Sequence, residues 1–255
     1  MGAAFDTDDG AAHQAAIGLI VLATDETMEP EIASVMPGNG VALYHARIPS
    51  APTVTAETLA RMKADLPGAA GLLPDRDYQA IGYGCTSGAT VIGPEVVAGL
   101  VRGRRNAAHV ADPMTAVIAA CRHLGVRSLG FLTPYIAEVS AAMRARLEAE
   151  GFRIAAFASF EEAEEQVVAR ISERSTLAAV LELGALDEVD AVFASCTNLR
   201  TFGVIAEAER RLGKPVISSN LALAWALLRS ADAVPTPNAP GALFAAMRRK
   251  EDAGG

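Results

Sequence analysis

The sequence predicts an α/β fold of two pseudo-symmetric lobes, each a parallel sheet flanked by helices, with a candidate active site in the cleft between them. Short apolar runs of strand length alternate with runs of helical periodicity along most of the 255 residues, a pattern typical of parallel sheets covered by helices. Hydrophobic residues make up 51% of the chain, enough to bury a large core. The pattern of the first half also returns in the second half.

The first half of the chain predicts four strands and three helices. A continuous apolar run predicts a strand at residues 17–24, and strands are also expected at residues 42–48, 79–84 and 106–111. Helices are expected at residues 55–66, 93–100 and 114–124. Thr55 is placed to cap the first helix, and Gly125 follows the third as a stop signal.

The second half predicts the same alternation. Strands are expected at residues 128–133, 153–157, 191–195 and 215–218. Helices are expected at residues 136–150, 161–169, 175–183, 204–212 and 221–228. Gly151 and Gly213 stand at helix ends, where glycine is a stop signal.

An internal repeat relates the two halves. AIGYGCTSGATVIG aligns with AVFASCTNLRTFG, so that Cys85 and Cys196 occupy equivalent positions after apolar strands. The strands before and after these segments also correspond. We expect an N-terminal lobe of residues 1–112 plus 216–255 and a C-terminal lobe of residues 113–215. Because ligands of parallel sheets bind beyond the carboxyl ends of the strands, facing lobes would bring both cysteines to one cleft.

Charge and composition exclude several classes of protein. The net charge is −8 and the pI about 5.1, with no basic cluster to attract nucleic acid or a membrane. No run of 18 apolar residues predicts a transmembrane helix, and residues 1–10 lack a basic signal segment, so we expect a cytoplasmic protein. The odd cysteine count, the unrelated histidine spacings and the absence of nucleotide motifs predict no disulfide, metal or cofactor. The expected partner is a small molecule.

The two cysteine motifs carry the predicted chemistry. CTSG, from Cys85, joins a strand to a helix, where amides and hydroxyls hold a carboxylate or an oxyanion. We expect this environment to lower the thiol pKa from ~8.5 towards the physiological range. CTN, from Cys196, offers the same environment in the other lobe. A thiolate and a thiol on opposite sides of one carbon would act as base and acid, and a thiolate also adds to activated alkenes.

Packing is the alternative explanation for each of these residues. Free cysteine is among the most buried residue types, so the paired placement of Cys85 and Cys196 is what argues for chemistry. Cys121 lies in the middle of a predicted helix and is assigned to packing.

Other polar residues at strand ends also have two interpretations. Asp25 could line the cleft or cap the next helix. Tyr135 could donate its hydroxyl to a ligand or be a partly buried turn residue. Asp112 and residues 218–220 follow equivalent strands, where they could line the cleft or cap the next helix. Asp112 is expected to be a helix cap.

The chain resembles the aspartate/glutamate racemase superfamily, and within it the maleate cis–trans isomerase branch, over about residues 17–228. The similar segments are ATDETMEPE, GYGCTSG, FLTPY, VARIS and SCTNLR. The resemblance implies a homodimer without cofactor, in which Cys85 adds to the alkene and Cys196 protonates or deprotonates the adduct. It also implies that substrate carboxylates bind Thr86, Ser87, Tyr135, Thr197 and Asn198. Arylmalonate decarboxylases share the fold but lack the first cysteine, which argues against decarboxylation.

Two positions depart from the maleate isomerase pattern. Asparagine is typical of those enzymes where this chain has Asp25, and again near Glu165 and Gln166, which we also expect to contact substrate. An ionised Asp25 would repel a dianion, so either Asp25 is protonated or the substrate carries an amine or hydroxyl there. The leading hypothesis is conversion of maleate to fumarate. An amino-acid racemase or epimerase like the ectoine-utilisation relatives, and a non-catalytic small-acid binding protein, are the alternatives.

Overall fold

The computed structural model describes residues 2–252, and the side chains of residues 2–248. Its strands are β1 (Ala15–Leu22), β2 (Val41–Ile48), β3 (Tyr78–Gly84), β4 (Ala107–Ala111), β5 (Ser128–Thr133), β6 (Arg153–Ser159), β7 (Ala191–Ala194) and β8 (Val216–Ser218). Its helices are α1 (Met28–Val35), α2 (Ala56–Gly71), α3 (Thr86–Ile92), α4 (Pro94–Arg102), α5 (Pro113–His123), α6 (Ala137–Ala149), α7 (Glu165–Val168), α8 (Glu173–Gly184), α9 (Phe202–Leu212), α10 (Ser219–Ser230) and α11 (Gly241–Asp252).

The strands form two parallel sheets of four, which confirms the predicted two-lobed fold. The orders are β2-β1-β3-β4 and β6-β5-β7-β8, so each strand of the first sheet has an equivalent in the second. Every residue of β1 is buried, as expected for a strand with a parallel partner on both sides and helices on both faces. Parallel pairing puts the carboxyl ends of neighbouring strands at the same edge of each sheet.

Local sequence signals account for several element ends. The Thr55 side chain accepts a hydrogen bond from the Thr58 backbone, and the Thr58 side chain accepts one from the Thr55 backbone, a reciprocal cap that starts α2. Gly125 follows α5 with φ +72°, in the left-handed region that glycine adopts without strain. Asp112 caps α5 by accepting from the Thr115 backbone N–H, which confirms its predicted role.

The helix predicted at residues 161–169 is wrong over its first half, because only Glu165–Val168 is helical. The preceding residues hydrogen-bond to another segment of chain. Thr53 and Glu164 form an isolated antiparallel bridge, and the Val54 backbone N–H donates to the Ala163 carbonyl oxygen at 3.1 Å. Pairing of this kind competes with a helix for the same backbone groups. The sequence indicated helices after Asp25 and after the CTSG segment but gave no bounds for α1 and α3, and α11 was not predicted.

The expected lobe boundary differs from the sheet boundary at β8. Residues 216–218 pair with β7 and therefore belong to the second sheet, although the expected division assigns them to the first lobe. The helix α10, which follows directly, packs on β3 and β4 of the first sheet. The chain therefore crosses between the lobes after residue 218. None of the helices described is long and apolar enough to cross a membrane.

Candidate active site

Four of the predicted site residues follow equivalent strands of the two sheets. Asp25 follows β1 and Tyr135 follows β5, whereas Cys85 follows β3 and Cys196 follows β7. All four are buried, with 2–4% of their surface exposed. Glu165, from α7, acts electrostatically on both thiols and on the Tyr135 phenol. The two strand-end sets therefore form one cluster between the lobes.

Cys85 is the N-cap residue of α3. Its Sγ accepts a hydrogen bond from the Gly88 backbone N–H at 3.2 Å and lies 3.8 Å from the Ser87 hydroxyl. A Cβ on Gly88 would lie 2.9 Å from this sulfur, and a Cβ on Gly84 would lie 2.4 Å from the Met28 sulfur. Glycine at position 88 therefore leaves room for the Cys85 sulfur, and glycine at position 84 leaves room for Met28.

Cys196 has a backbone conformation that non-glycine residues rarely adopt. Its φ is +95°, which costs of the order of 1–3 kcal/mol for a residue with a Cβ. The Sγ lies 2.9 Å from the Tyr135 hydroxyl oxygen and accepts from the Asn198 backbone N–H at 3.3 Å. Strained residues held by their surroundings concentrate at functional sites, and this turn aims Sγ at Tyr135.

The Glu165 carboxylate is held at both oxygens. Oε1 accepts from the Tyr135 hydroxyl at 2.8 Å, and Oε2 accepts from the Asn198 Nδ2 group at 2.8 Å. The same Nδ2 group also contacts the Glu165 backbone carbonyl at 3.0 Å. Asn198 thus fixes the orientation of the carboxylate.

Asp25 has one satisfied oxygen and one unsatisfied oxygen. Its Oδ1 accepts from the Thr27 and Met28 backbone N–H groups, both at 2.8 Å, at the start of α1. Its Oδ2 is buried without a hydrogen-bond partner, and its charge acts on both thiols. Burial raises the pKa of Asp25, while the two backbone donors and the Arg47 charge oppose this. Asp25 therefore supports the helix start, and burial favours its neutral form.

The expected lowering of the thiol pKa is wrong for this structure. Burial raises the pKa of Cys85 to about 12, and the Gly88 N–H offsets only part of that rise. Burial also raises the pKa of Cys196 well above its usual range, and the Glu165 charge raises it further. Desolvation exceeds the effect of the amide donors because both thiols are almost fully enclosed.

A small cavity lies beside Cys85. It is lined by Cys85, Ser87 and Glu165 together with side chains from residues 50–54 and α2, and its volume is about 10 Å³. That is room for about one water-sized sphere and too little for a four-carbon diacid. Residues 50–54 therefore cover Cys85 in this conformation.

The remaining predicted binding residues have partners within the protein. The Thr86 hydroxyl donates to the Ser219 hydroxyl at 2.8 Å, and the Thr197 hydroxyl donates to the Gly84 carbonyl at 3.4 Å. The side chain of Gln166 is exposed and lies outside the cluster. Successive residues of a helix point about 100° apart, so the turn that buries Glu165 directs Gln166 to solvent.

Sequence reasoning missed Ser219 as a site residue, although it recognised residues 218–220 as a strand end. Ser218 caps α10, which is one of the alternatives considered for this segment. The Ser219 hydroxyl instead accepts from both Thr86 and the Cys196 backbone N–H. The position of Ser219, directly after the strand equivalent to β4, was the available signal. Within the described residues, no group of three acidic, histidine or cysteine side chains could hold a metal ion.

The two lobes and the cysteine pair are typical of a class of α/β enzymes in which each lobe supplies one buried thiol. The chain belongs to the family described as arylmalonate decarboxylase, whose sequence profile matches residues 17–244. It is 31% identical over 227 residues to a maleate isomerase of Nocardia farcinica, covering 85% of this chain and 90% of that protein.

Solved structures of relatives have the same fold. A Nocardia farcinica maleate cis–trans isomerase, a cysteine-to-serine variant with a covalently bound succinylcysteine intermediate, superposes with a TM-score of 0.81 at 28% identity. The match covers 90% of this chain and 98% of that chain. A liganded variant of arylmalonate decarboxylase superposes with a TM-score of 0.80 at 26% identity, with the same coverage.

Proposed function

We propose that this protein is a cofactor-independent isomerase that converts maleate to fumarate through a covalent adduct on Cys85. The observation that carries the proposal is the enclosure of both thiols beside Glu165: Cys85 and Glu165 line the same small cavity, and the Tyr135 hydroxyl contacts both Glu165 and Cys196. Inert packing cysteines need neither equivalent strand ends nor shared polar neighbours. The succinylcysteine on the Nocardia farcinica relative is the adduct that this chemistry would form.

The reaction begins when the Cys85 thiolate adds to one alkene carbon. The C–S bond forms, the π electrons move to the neighbouring carbon, and the Cys196 thiol gives that carbon its proton. The former double bond is now single and can rotate. The Cys196 thiolate then removes the proton, the C–S bond breaks, and the trans alkene leaves with Cys85 again a thiolate.

The raised pKa values of the buried carboxyl groups would remove the repulsion between an ionised Asp25 and a dianionic substrate. Burial raises the pKa of both Asp25 and Glu165, which favours the neutral acids. A neutral carboxyl group can donate a hydrogen bond to a substrate carboxylate instead of repelling it. This supports the alternative in which Asp25 is protonated.

Proton NMR tests the reaction directly. We expect purified protein to convert maleate to fumarate with no added cofactor, and Cys85→Ala to abolish the conversion. Cys121→Ala is the matched control, because Cys121 is fully buried in α5 outside the cluster. We expect that variant to keep its activity. An active Cys85→Ala variant would refute the role of Cys85 as the nucleophile.

An amino-acid racemase or epimerase is the second candidate, and Asp25 and Glu165 are what favour it. In their ionised forms, these two buried carboxylates beside the thiols would bind the ammonium group of an amino acid. Asp25→Asn separates the two candidates, since Asn keeps the Oδ1 acceptor and removes the charge. Maleate turnover that is kept or increased in this variant supports the isomerase, because the amide, like a neutral acid, can donate a hydrogen bond to a substrate carboxylate. Deuterium exchange at the α-carbon of an amino acid by the unaltered protein, with no maleate turnover, supports the racemase.

The proposal includes a cytoplasmic location and a homodimer. The three free, buried cysteines fit a reducing compartment, and the dimer follows from the family resemblance. Light scattering coupled to size-exclusion chromatography tests the dimer. A mass near the 26.4 kDa of one chain would refute it.

A further inference from the structure

The Tyr135 hydroxyl lies between a thiol and a carboxyl group. Its oxygen is 2.9 Å from Cys196 Sγ and 2.8 Å from Glu165 Oε1. A hydroxyl has one proton, so Tyr135 cannot donate to both neighbours at once. When the three groups share one negative charge, they form either a thiolate with a carboxylic acid or a thiol with a carboxylate.

These two states differ only in the positions of two protons. The Cys196 proton moves to the Tyr135 oxygen while the Tyr135 proton moves to Glu165 Oε1, and no other bond changes. Asn198 holds the far oxygen, Oε2, and stabilises the charge when it lies on Glu165. The 2.8 Å oxygen–oxygen distance is normal for a hydrogen bond, and the 2.9 Å oxygen–sulfur distance is a close contact between a donor and an acceptor.

We propose that Glu165 is the proton reservoir of Cys196 and that the Tyr135 hydroxyl passes the proton between them. The inference rests on the proposed function. When Cys196 gives its proton to the substrate carbon, Tyr135 gives its own proton to Sγ and takes the Glu165 proton. The net donor is Glu165, and the sequence runs backwards when Cys196 removes the proton before elimination.

This relay gives Tyr135 and Glu165 roles other than the substrate binding implied by the resemblance. Both contacts of the Tyr135 hydroxyl are occupied within the protein. A buried thiolate at Cys196 would be costly because burial opposes its charge. The relay moves the negative charge to the Glu165 carboxylate, which already accepts a hydrogen bond from the Asn198 Nδ2 group.

A substrate-independent measurement tests the coupling of the three groups. In a Cys85→Ser background, the pH dependence of iodoacetamide alkylation is followed on the Cys196 peptide by mass spectrometry. The titratable groups facing Glu165 are Asp25, Cys85, Tyr135 and Cys196. We expect Glu165→Gln to move the Cys196 midpoint to lower pH by about one unit, because a neighbouring negative charge is removed.

Tyr135→Phe should move the same midpoint in the opposite direction, because the thiolate loses a hydrogen-bond donor. Cys121 reports on the fold, since it is fully buried and reacts only when the protein opens. Glu161→Gln, an exposed glutamate four residues earlier, is the matched control and should leave the midpoint unchanged. Unchanged midpoints in both test variants, with Cys121 still protected, would overturn the inference even if maleate is not the substrate.

Turnover tests the relay itself. Loss of a general acid–base group typically slows a reaction ~10²–10⁴-fold, and we expect a loss of that size for Glu165→Gln and for Tyr135→Phe. The double variant should be no slower than the slower single variant, because either change breaks the same chain. Multiplicative losses in the double variant, or turnover within about threefold of wild type in Glu165→Gln, would refute the relay.

Discussion

The Thr86 hydroxyl donates a 2.8 Å hydrogen bond to the Ser219 hydroxyl, and this contact links the two cysteine segments. Thr86 directly follows Cys85, whereas the Ser219 oxygen also accepts from the Cys196 backbone N–H at 3.1 Å. One buried hydroxyl therefore joins the turn after β3 to the turn after β7. Its position at the crossing between β8 and α10 couples the two lobes at the level of the thiols.

Removing this hydroxyl should affect both stability and catalysis. We expect Ser219→Ala to cost about 1–3 kcal/mol of unfolding free energy, because two buried donors lose their acceptor. We also expect slower turnover, since the Cys196 backbone is held by the same contact. Urea unfolding and maleate conversion measure the two effects. Ser230→Ala, at the other end of α10, is the control, and equal stabilities for the two variants would contradict the linking role.

The strained turn at Cys196 predicts that the stability of a variant depends on which small residue replaces the cysteine. Alanine has a Cβ and keeps the strain at φ +95°, whereas glycine does not. We expect Cys196→Gly to be more stable than Cys196→Ala by about 1 kcal/mol. The control is Cys85, whose φ of −148° is extended backbone that any residue adopts. There alanine should be the more stable replacement, and the same order at both positions would argue against strain at Cys196.

The fold was predictable because its signals are local. Most strands are largely apolar runs, and glycine or proline stands near most helix ends. The repeat around Cys85 and Cys196 also predicted which strands are equivalent, and the common sheet order agrees. The difference between the expected lobe boundary and the sheet boundary at β8 has a different cause. Strand pairing depends on contacts between distant segments, which periodicity along a chain does not report.

The sequence predicted which residues lie together at the site, but it predicted less well which groups their side chains contact. Cys85, Cys196, Asp25, Tyr135 and Glu165 lie together as their strand-end or family positions suggested. Sequence reasoning expected hydroxyls and amides that face a ligand, but several of them bind other parts of the protein. The predicted direction of the thiol pKa shift was wrong because it depends on burial by distant segments, and residues 50–54 line the cavity beside Cys85. That segment closes over Cys85 from a distant part of the chain.

The buried Asp25 carboxyl predicts how stability changes with pH. Its folded-state pKa is raised above its ordinary value of 3.8, so the folded protein binds the proton more tightly than the unfolded chain. The Asp25 contribution therefore favours folding below pH ~4 and is lost as pH rises through the folded-state pKa. Each unit of raised pKa corresponds to about 1.4 kcal/mol.

Asp25→Asn removes this contribution while keeping the acceptor for the start of α1. We expect the variant to gain stability relative to wild type as pH is raised from 4 to 8, measured by urea unfolding at a series of pH values. Asp65→Asn, an exposed aspartate on α2, is the control. A stability difference between Asp25→Asn and wild type that does not change with pH would contradict the raised pKa.

We expect residues 50–54, which we call the strap, to open before a substrate binds. The strap lines the cavity at Cys85 and is fastened to the segment before α7. The Thr53 hydroxyl donates to Glu164 Oε1 at 2.6 Å, and the Glu165 backbone N–H donates to the Pro52 carbonyl at 2.9 Å. Because a thiol with a pKa of about 12 is rarely ionised near neutral pH, the Cys85 thiolate forms chiefly when the strap is open.

Weakening the strap should therefore expose Cys85 more often. Thr53→Val removes the side-chain hydrogen bond and keeps a β-branched shape. If that bond contributes about 0.5–1 kcal/mol, the open population rises about two- to fivefold. We expect the iodoacetamide alkylation rate of Cys85 to rise by the same factor at constant pH, followed by mass spectrometry. Cys121, which lies far from the strap in α5, should stay protected in the same sample. Equal Cys85 rates in Thr53→Val and wild type would mean that access to the thiol does not depend on this fastening.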